Sequence, residues 1–103
     1  MAKEKTLRMK ETLEYYDEKT GEVVKEKHHY LNGRDDYRMN DEVFSIVCDG
    51  MEEERRKTVT KRLGGFWAKT LVERVVNEAR KVVILVKSPY TFEYNQRWTY
   101  ELV

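Results

Sequence analysis

The sequence predicts an α+β fold, a mostly antiparallel β-sheet of five or six strands with one amphipathic helix packed on one face. Three observations predict it. Residues 7–15 alternate apolar and polar, residues 66–81 repeat apolar side chains at three- and four-residue steps, and residues 82–86 are an unbroken apolar run. The resulting order is β-β-β-(β)-α-β-β, which a single sheet with a helix laid across it satisfies. A chain of 103 residues suits one domain over 1–103, because two would each be short of core.

The first strand sets Leu7, Met9, Leu13 and Tyr15 on one side, with Glu11 interrupting them. Asp17-Glu18-Lys19-Thr20-Gly21 is a turn, with Asp to start it and Gly for a left-handed residue. A four-residue loop, 18–21, pairs Asp17 with Glu22, Tyr15 with Val24 and Met9 with Tyr30. A three-residue loop would set Glu18 against Glu22, a like-charge pair, so the longer loop is preferred. This register gives the core side Val24 and Tyr30 and gathers Arg8, Lys10, Lys25, Lys27 and His29 on the opposite side with Tyr16 and Val23. It also sets Glu11 against His28, which reads as a structural ion pair at the sheet margin rather than a catalytic dyad.

Residues 32–36, Asn-Gly-Arg-Asp-Asp, form a loop by composition. Residues 42–48, rich in β-branched and aromatic side chains, read as a third strand closed by Asp49-Gly50. Residues 51–63 are open between helix and strand. Glu52-Glu53-Glu54-Arg55-Arg56 suits a helix start, acids first and bases later. Met51, Val59 and Leu63 are too few for a core-facing stripe, however, and Thr58-Val59-Thr60 prefers strand, so a fourth strand at about 55–63 is favoured. Gly64-Gly65 breaks the chain before the helix at 66–81, whose Trp67, Leu71, Val72, Val75, Val76 and Ala79 share a face. A strand buried on both faces follows at 82–86 and stops at Ser88-Pro89. Residues 90–103 close the sheet, with Phe92, Tyr94, Trp98 and Tyr100 on one face and Phe92 and Trp98 read as core.

The net charge of +1 excludes attraction of an acidic partner by bulk charge, but the sum conceals a pattern. Residues 32–54 hold two basic and eight acidic groups, −6, and residues 55–81 hold nine basic and two acidic, +7. Local pairing of the two blocks is one explanation. Phosphate contact by Arg55, Arg56, Lys57, Lys61 and Arg62 is the other, with Lys10, Lys25 and Lys27 as a second strip. Aromatic residues make up 12% of the chain, and rings beside cations are how single strands are held. Tyr16, on the cationic hairpin face, is the stacking candidate.

Enzyme chemistry finds no set of residues. His28 and His29 are adjacent, so on a strand they point to opposite faces and cannot share a metal. Cys48, the sole cysteine, excludes an internal disulfide and reads as a small buried hydrophobe. Gly64-Gly65 lacks the Gly-Lys-Ser/Thr of a phosphate loop and serves as a bend. The expectation is a non-enzymatic nucleic-acid-binding domain, DNA or RNA undetermined, with no cofactor, metal or small-molecule ligand. The alternative is a protein–protein modulator that docks by its segregated charge. An apolar terminal strand leaves an edge to cover, so a homodimer is expected. No signal-like or membrane-spanning apolar stretch is present, and the expected location is cytoplasmic.

Overall fold

In the computed structural model, which describes residues 7–31 and 39–103, strands β1 (Met9–Tyr16) and β2 (Val23–Tyr30) make the predicted hairpin. Asp17 Oδ1 accepts from the amides of Lys19 and Thr20 at 2.8 and 3.1 Å, and Gly21 takes φ +71°. The Asp17 amide donates to Glu22 O at 2.9 Å, so the loop has the expected four residues. Beyond it the register departs from expectation. Tyr16 lies opposite Val23 but Tyr15 lies opposite Lys25, leaving Val24 unpaired in a β-bulge. A slip of one residue carries every later side chain to the other face. Lys25, Lys27 and His29 therefore share a face with Tyr15, Leu13 and Glu11, whereas Lys10 shares the opposite one with Tyr30. The single cationic face expected of the hairpin does not form. The loop expected at 32–36 lies outside the described residues.

Where strands were expected at 42–48 and 55–63, the chain forms one helix, α1 (Asp41–Leu63). Its ends explain it. Asn40 caps the start, its Oδ1 accepting from Val43 N at 2.9 Å, with Asp41 and Glu42 in the first turn and Lys61 and Arg62 in the last. Gly64, at φ +98°, closes the helix as its amide donates to Thr60 O at 2.9 Å. The buried positions Phe44, Cys48 and Val59 follow helical spacing, but Glu52 and Arg55 break the apolar stripe between them. Caps and ion pairs thus override the β-branched residues of 58–60.

The helix expected at 66–81 shrinks to α2 (Gly65–Leu71), and strand β3 (Val72–Glu78) follows. Val72, Val75 and Val76 have helix-like spacing because β3 contains a bulge between Arg74 and Val76. Val72 packs into the core, Val76 pairs with Val83, and Val75 is the extra residue and half exposed. Strands β4 (Lys81–Val86) and β5 (Asn95–Leu102) complete the sheet; β5 begins five residues later than expected.

The fold class is α+β, with five antiparallel strands ordered β2-β1-β5-β4-β3. Both helices lie on one face, α1 over β3, β4 and β5. Beneath them Met9, Ile84, Leu102 and Tyr100 from the sheet meet Phe44, Cys48, Val59 and Leu71. The hairpin extends past the helices, and all eight residues of β2 are exposed. The acidic and basic blocks meet across this interface. Arg74 donates to Asp49 at 2.7 Å and to Glu52 at 2.6 Å, and Arg80 donates to Asp41 at 2.8 Å. Within α1, Arg56 pairs with Glu52 and Lys57 with Glu53, each one turn apart. Much of the charge segregation therefore closes internally.

A strand at 42–48 would put Phe44 and Ile46 on one face, and the helix separates them. Phe44 is 1% exposed and Ile46 63%. Chemical denaturation of F44A should show a loss of about 3–5 kcal/mol, and that of I46A less than about 0.5 kcal/mol. Equal losses would refute the helix.

Candidate functional site

Because residues 55–62 are helical, the five basic residues expected to form one arm point in different directions. At about 100° per residue, Arg55 and Arg62 project together, Lys57 and Lys61 project to the far side, and Arg56 lies between. Arg55 is turned inward, its guanidinium 3.7 Å from the Trp98 ring centroid. Arg56 is held by Glu52 and by the Ala68 carbonyl at 3.2 Å. Lys57 lies 3.6 Å from Glu53, and Lys61 is exposed with no ion pair among the described residues. Arg62 reaches across to Glu93 in the segment joining β4 to β5. Arg55 and Arg62 alone of the five face the sheet.

The hairpin candidates divide likewise. Lys10 and Tyr16 lie on the face without helices, where burial raises the Tyr16 phenol and the Arg97 guanidinium sits 5.4 Å from its ring. A half-buried ring so engaged is a poor stacking platform. Lys25 and Lys27 stand on the helix-bearing face, beyond half-buried Tyr15 and Leu13. Across the sheet, Lys25 lies in one row with Tyr15, Gln96 and Val86. Gln96 and Val86 also floor a cleft of about 100 Å³ walled by Arg55, Thr58 and Arg62 on one side and Lys87 to Pro89 on the other. The two lysines thus continue a track that runs under the C-terminal half of α1.

The aromatic residues also sort differently from expectation. Tyr100 is fully buried, and Trp98 is half-buried with its indole donating to Gln96 at 3.0 Å. Phe92, expected in the core, is 80% exposed because β5 starts only at Asn95 and leaves 87–94 as a loop. There Tyr90 and Phe92 stack with centroids 5.3 Å apart and planes 20° apart, and Tyr94 is half exposed beside them. Ser88 pins this loop. Its hydroxyl donates to Glu93 at 2.7 Å and accepts from the Tyr90 amide at 3.2 Å, while its own amide donates to Asn95 Oδ1 at 2.8 Å. The Arg62 guanidinium lies 5.6 Å from the Tyr90 ring and, through its hydrogen bond, holds the Glu93 carboxyl below its usual range, with Ser88 adding to the effect. A second pocket, about 240 Å³, opens between this loop and the Asp17–Lys19 turn and adjoins the first through Ser88, Glu93 and Tyr94.

Other candidate chemistry stays apart. His29, not His28, meets Glu11, with 3.1 Å between Nε2 and Oε1, while His28 lies opposite Thr12. Burial pushes the Cys48 thiol up to about 12, which leaves it un-ionised and unreactive near neutral pH. Among the described residues no three His, Cys, Asp or Glu side chains converge as a metal-binding group. No described helix is long and apolar enough to cross a membrane. Lys87, Tyr90, Phe92 and Tyr94 were missed as site residues. The signal for them was available: 88–94 contains no Val, Ile, Leu or Met yet three aromatic side chains, and it holds the chain's one Pro, an unusual composition for a strand. Comparison with family models, curated proteins and solved structures finds no match for the chain.

The Arg62–Glu93 pair gives the loop a pH dependence whose sign is fixed. The Glu93 value is lowered from 4.5 on folding, so the pair is complete above 4.5 and is lost as pH falls through the lowered value. Tyr90 and Phe92 ring resonances in NMR spectra should be constant from pH 7 to about 5 and shift together below it. In E93Q they should show the acid-form positions at every pH, and a shift persisting in E93Q would assign the transition to another carboxylate.

Proposed function

We propose that the chain is a non-enzymatic binder of single-stranded nucleic acid, acting through the end of the molecule where α1, β2 and the 87–94 loop converge. One observation carries the reading: the exposed Tyr90–Phe92 stack stands beside Arg62 and Lys87, across two adjoining pockets. Exposed stacked rings are costly to keep in water, and their flat faces suit bases, each stack contributing about 1–3 kcal/mol. Lys25, Lys27, Arg62 and Lys87 supply phosphate contacts along the track, and Arg55 lines the cleft between them. Arg56, Lys57 and Lys61 lie off this line. Splayed single strands suit such a site better than a duplex, whose bases are already stacked on each other.

The internal pairing of the acidic and basic blocks argues against the modulator alternative, which needs segregated charge facing outward. The homodimer was expected to cover an apolar terminal strand. That strand, β5, lies inside the sheet between β1 and β4, so the edge it was to cover does not exist, and light scattering reads the oligomeric state directly.

Fluorescence anisotropy with labelled single- and double-stranded DNA and RNA, read at rising salt with light scattering on the same samples, checks this. Four phosphate contacts on a single strand should give a slope of log K against log salt of about −3, and K25A or K87A should reduce it by about 0.7 each. F92A should weaken binding by roughly 5- to 100-fold with the slope unchanged. Absence of binding at low salt would sink the proposal.

A further inference from the structure

The smaller cleft, under the C-terminal half of α1, is a site for an anion in its own right. Arg55 lines it, half-buried between α1 and β5, with its guanidinium 3.7 Å from the Trp98 ring centroid. Among the described residues it makes no ion pair. A partly desolvated guanidinium without a carboxylate is costly to keep and suited to an incoming anion. Lys87, on the opposite wall, also makes no ion pair among the described residues. Its main chain is fixed, the amide donating to Leu71 O at 2.9 Å. Arg62 is a third cation, and Glu93 is the one acid lining the cleft. Both Glu93 oxygens are already taken, Oε1 by Arg62 and Oε2 by the Ser88 hydroxyl. Three cations against one carboxylate leave the cleft at +2. On the floor, Gln96 accepts from the Trp98 indole through Oε1, leaving Nε2 as a neutral donor.

Size and charge together select the anion. The cleft's volume of about 100 Å³ equals the liquid volume of roughly three waters, room for one phosphoryl group and too little for a base with its sugar. An internal phosphodiester carries a single negative charge, offers two unesterified oxygens, and needs an exit for the chain on both sides. A terminal phosphate monoester carries about −1.5 to −2 at pH 7, offers three free oxygens, and needs one exit. Donors reach the cleft from three directions: Arg55 and Arg62 from α1, Lys87 from the segment after β4, and Gln96 from β5. The larger pocket adjoins it through Ser88, Glu93 and Tyr94, which gives a chain its way out past the aromatic rings. We propose that the cleft receives the terminal phosphate monoester of a bound strand, whose end base stacks on the neighbouring Tyr90–Phe92 pair. Arg55 and Lys87 hold the phosphate from opposite walls, and Arg62 shields it from the Glu93 carboxylate. This assignment rests on the strand-binding reading, and it adds a preference for phosphorylated ends to an otherwise sequence-tolerant surface.

The test is anisotropy at low salt with an internally labelled thymidine oligonucleotide carrying a 5′-phosphate, a 3′-phosphate, or hydroxyls at both ends. At least one phosphorylated strand should bind roughly 5- to 100-fold more tightly than the hydroxyl strand, and the end that does so gives the direction of the bound chain. Equal affinity of the wild-type chain for all three strands overturns the end assignment and leaves strand binding standing. Binding to none of them overturns both. Phosphorus NMR of the wild-type complex needs no variant. The second ionisation of the terminal phosphate, at about 6 when free, should fall on binding, because three cations favour the dianion. An unchanged ionisation would place the phosphate outside the cleft and overturn the assignment. In R55Q, with its fold checked by circular dichroism, the affinity difference should shrink, and its full retention would likewise overturn the assignment. Inorganic phosphate serves as the competing probe. It should displace the phosphorylated strand only at concentrations well above the strand's own Kd, because it lacks the base and the phosphate track. Displacement at concentrations equal to that Kd would make free phosphate the occupant and overturn its assignment to a strand end.

Discussion

The pairing of β1 with β5 is the constraint on which the rest of the structure depends. Met9 lies opposite Leu102 and Tyr16 opposite Asn95, in register along the whole length of both strands. Until this pairing forms, the hairpin has no neighbour and the β3–β4–β5 meander has an open edge under α1. Such a contact between strands far apart in the chain carries a loop-closure cost that the burial along both strands must offset. It also sets the location of the candidate site. Bringing β5 beside β1 places the segment leading into β5, with its rings, against the Asp17–Lys19 turn at the far end of β1.

Electrostatics plays a different part from the one the charge sum suggests. Arg74 is the hinge of the arrangement, its side chain 18% exposed and divided between Asp49 and Glu52 of the helix. With Arg80 on Asp41, it fastens α1 to the β3–β4 hairpin at two points. The partly desolvated Arg74–Glu52 pair specifies how the helix lies on the sheet more than it adds stability, and the exposed Arg80–Asp41 pair adds little. On the face without helices, Arg97 and Glu14 tie β5 to β1 in the same manner, at 2.9 and 3.0 Å. Of the other cations, Lys25 on β2, Arg62 on α1 and Lys87 lie toward one end of the sheet, and Lys61 lies on the far side of α1.

How far the sequence discloses this structure depends on which physical signal was local. The β1–β2 turn is written in adjacent residues, Asp17 to Gly21, and its loop length follows from them. The strand at 82–86 is likewise an unbroken apolar run. The two errors of element type both arise from bulges and interruptions. In 72–76 a bulge gives a strand the spacing of a helix, and in 44–59 Glu52 and Arg55 remove the periodicity of a real one. What makes 41–63 helical is the capping by Asn40 and Gly64 and the tertiary partners Arg74 and Arg80, of which only the caps are visible locally. The candidate site was hardest to see. Arg55 and Arg62 were identified, but their meeting with Lys87 and the aromatic loop is produced by strand order, which no window of sequence contains.

The bulge at Val24 bears on how the chain tolerates changes in its length. Val24 has no partner on β1, and the residues on either side of it, Val23 and Lys25, face successive β1 positions. Removing it would leave every cross-strand pair as it is and regularise the ladder. Removing a residue of 25–30 instead would draw Val24 into the ladder opposite Tyr15 and turn the side chains between the bulge and the gap to the other side of the sheet. One position in this hairpin is therefore free to be gained or lost in evolution, while its neighbours are held to an even count. Relatives of this chain that differ by a single residue in the hairpin should carry the difference there.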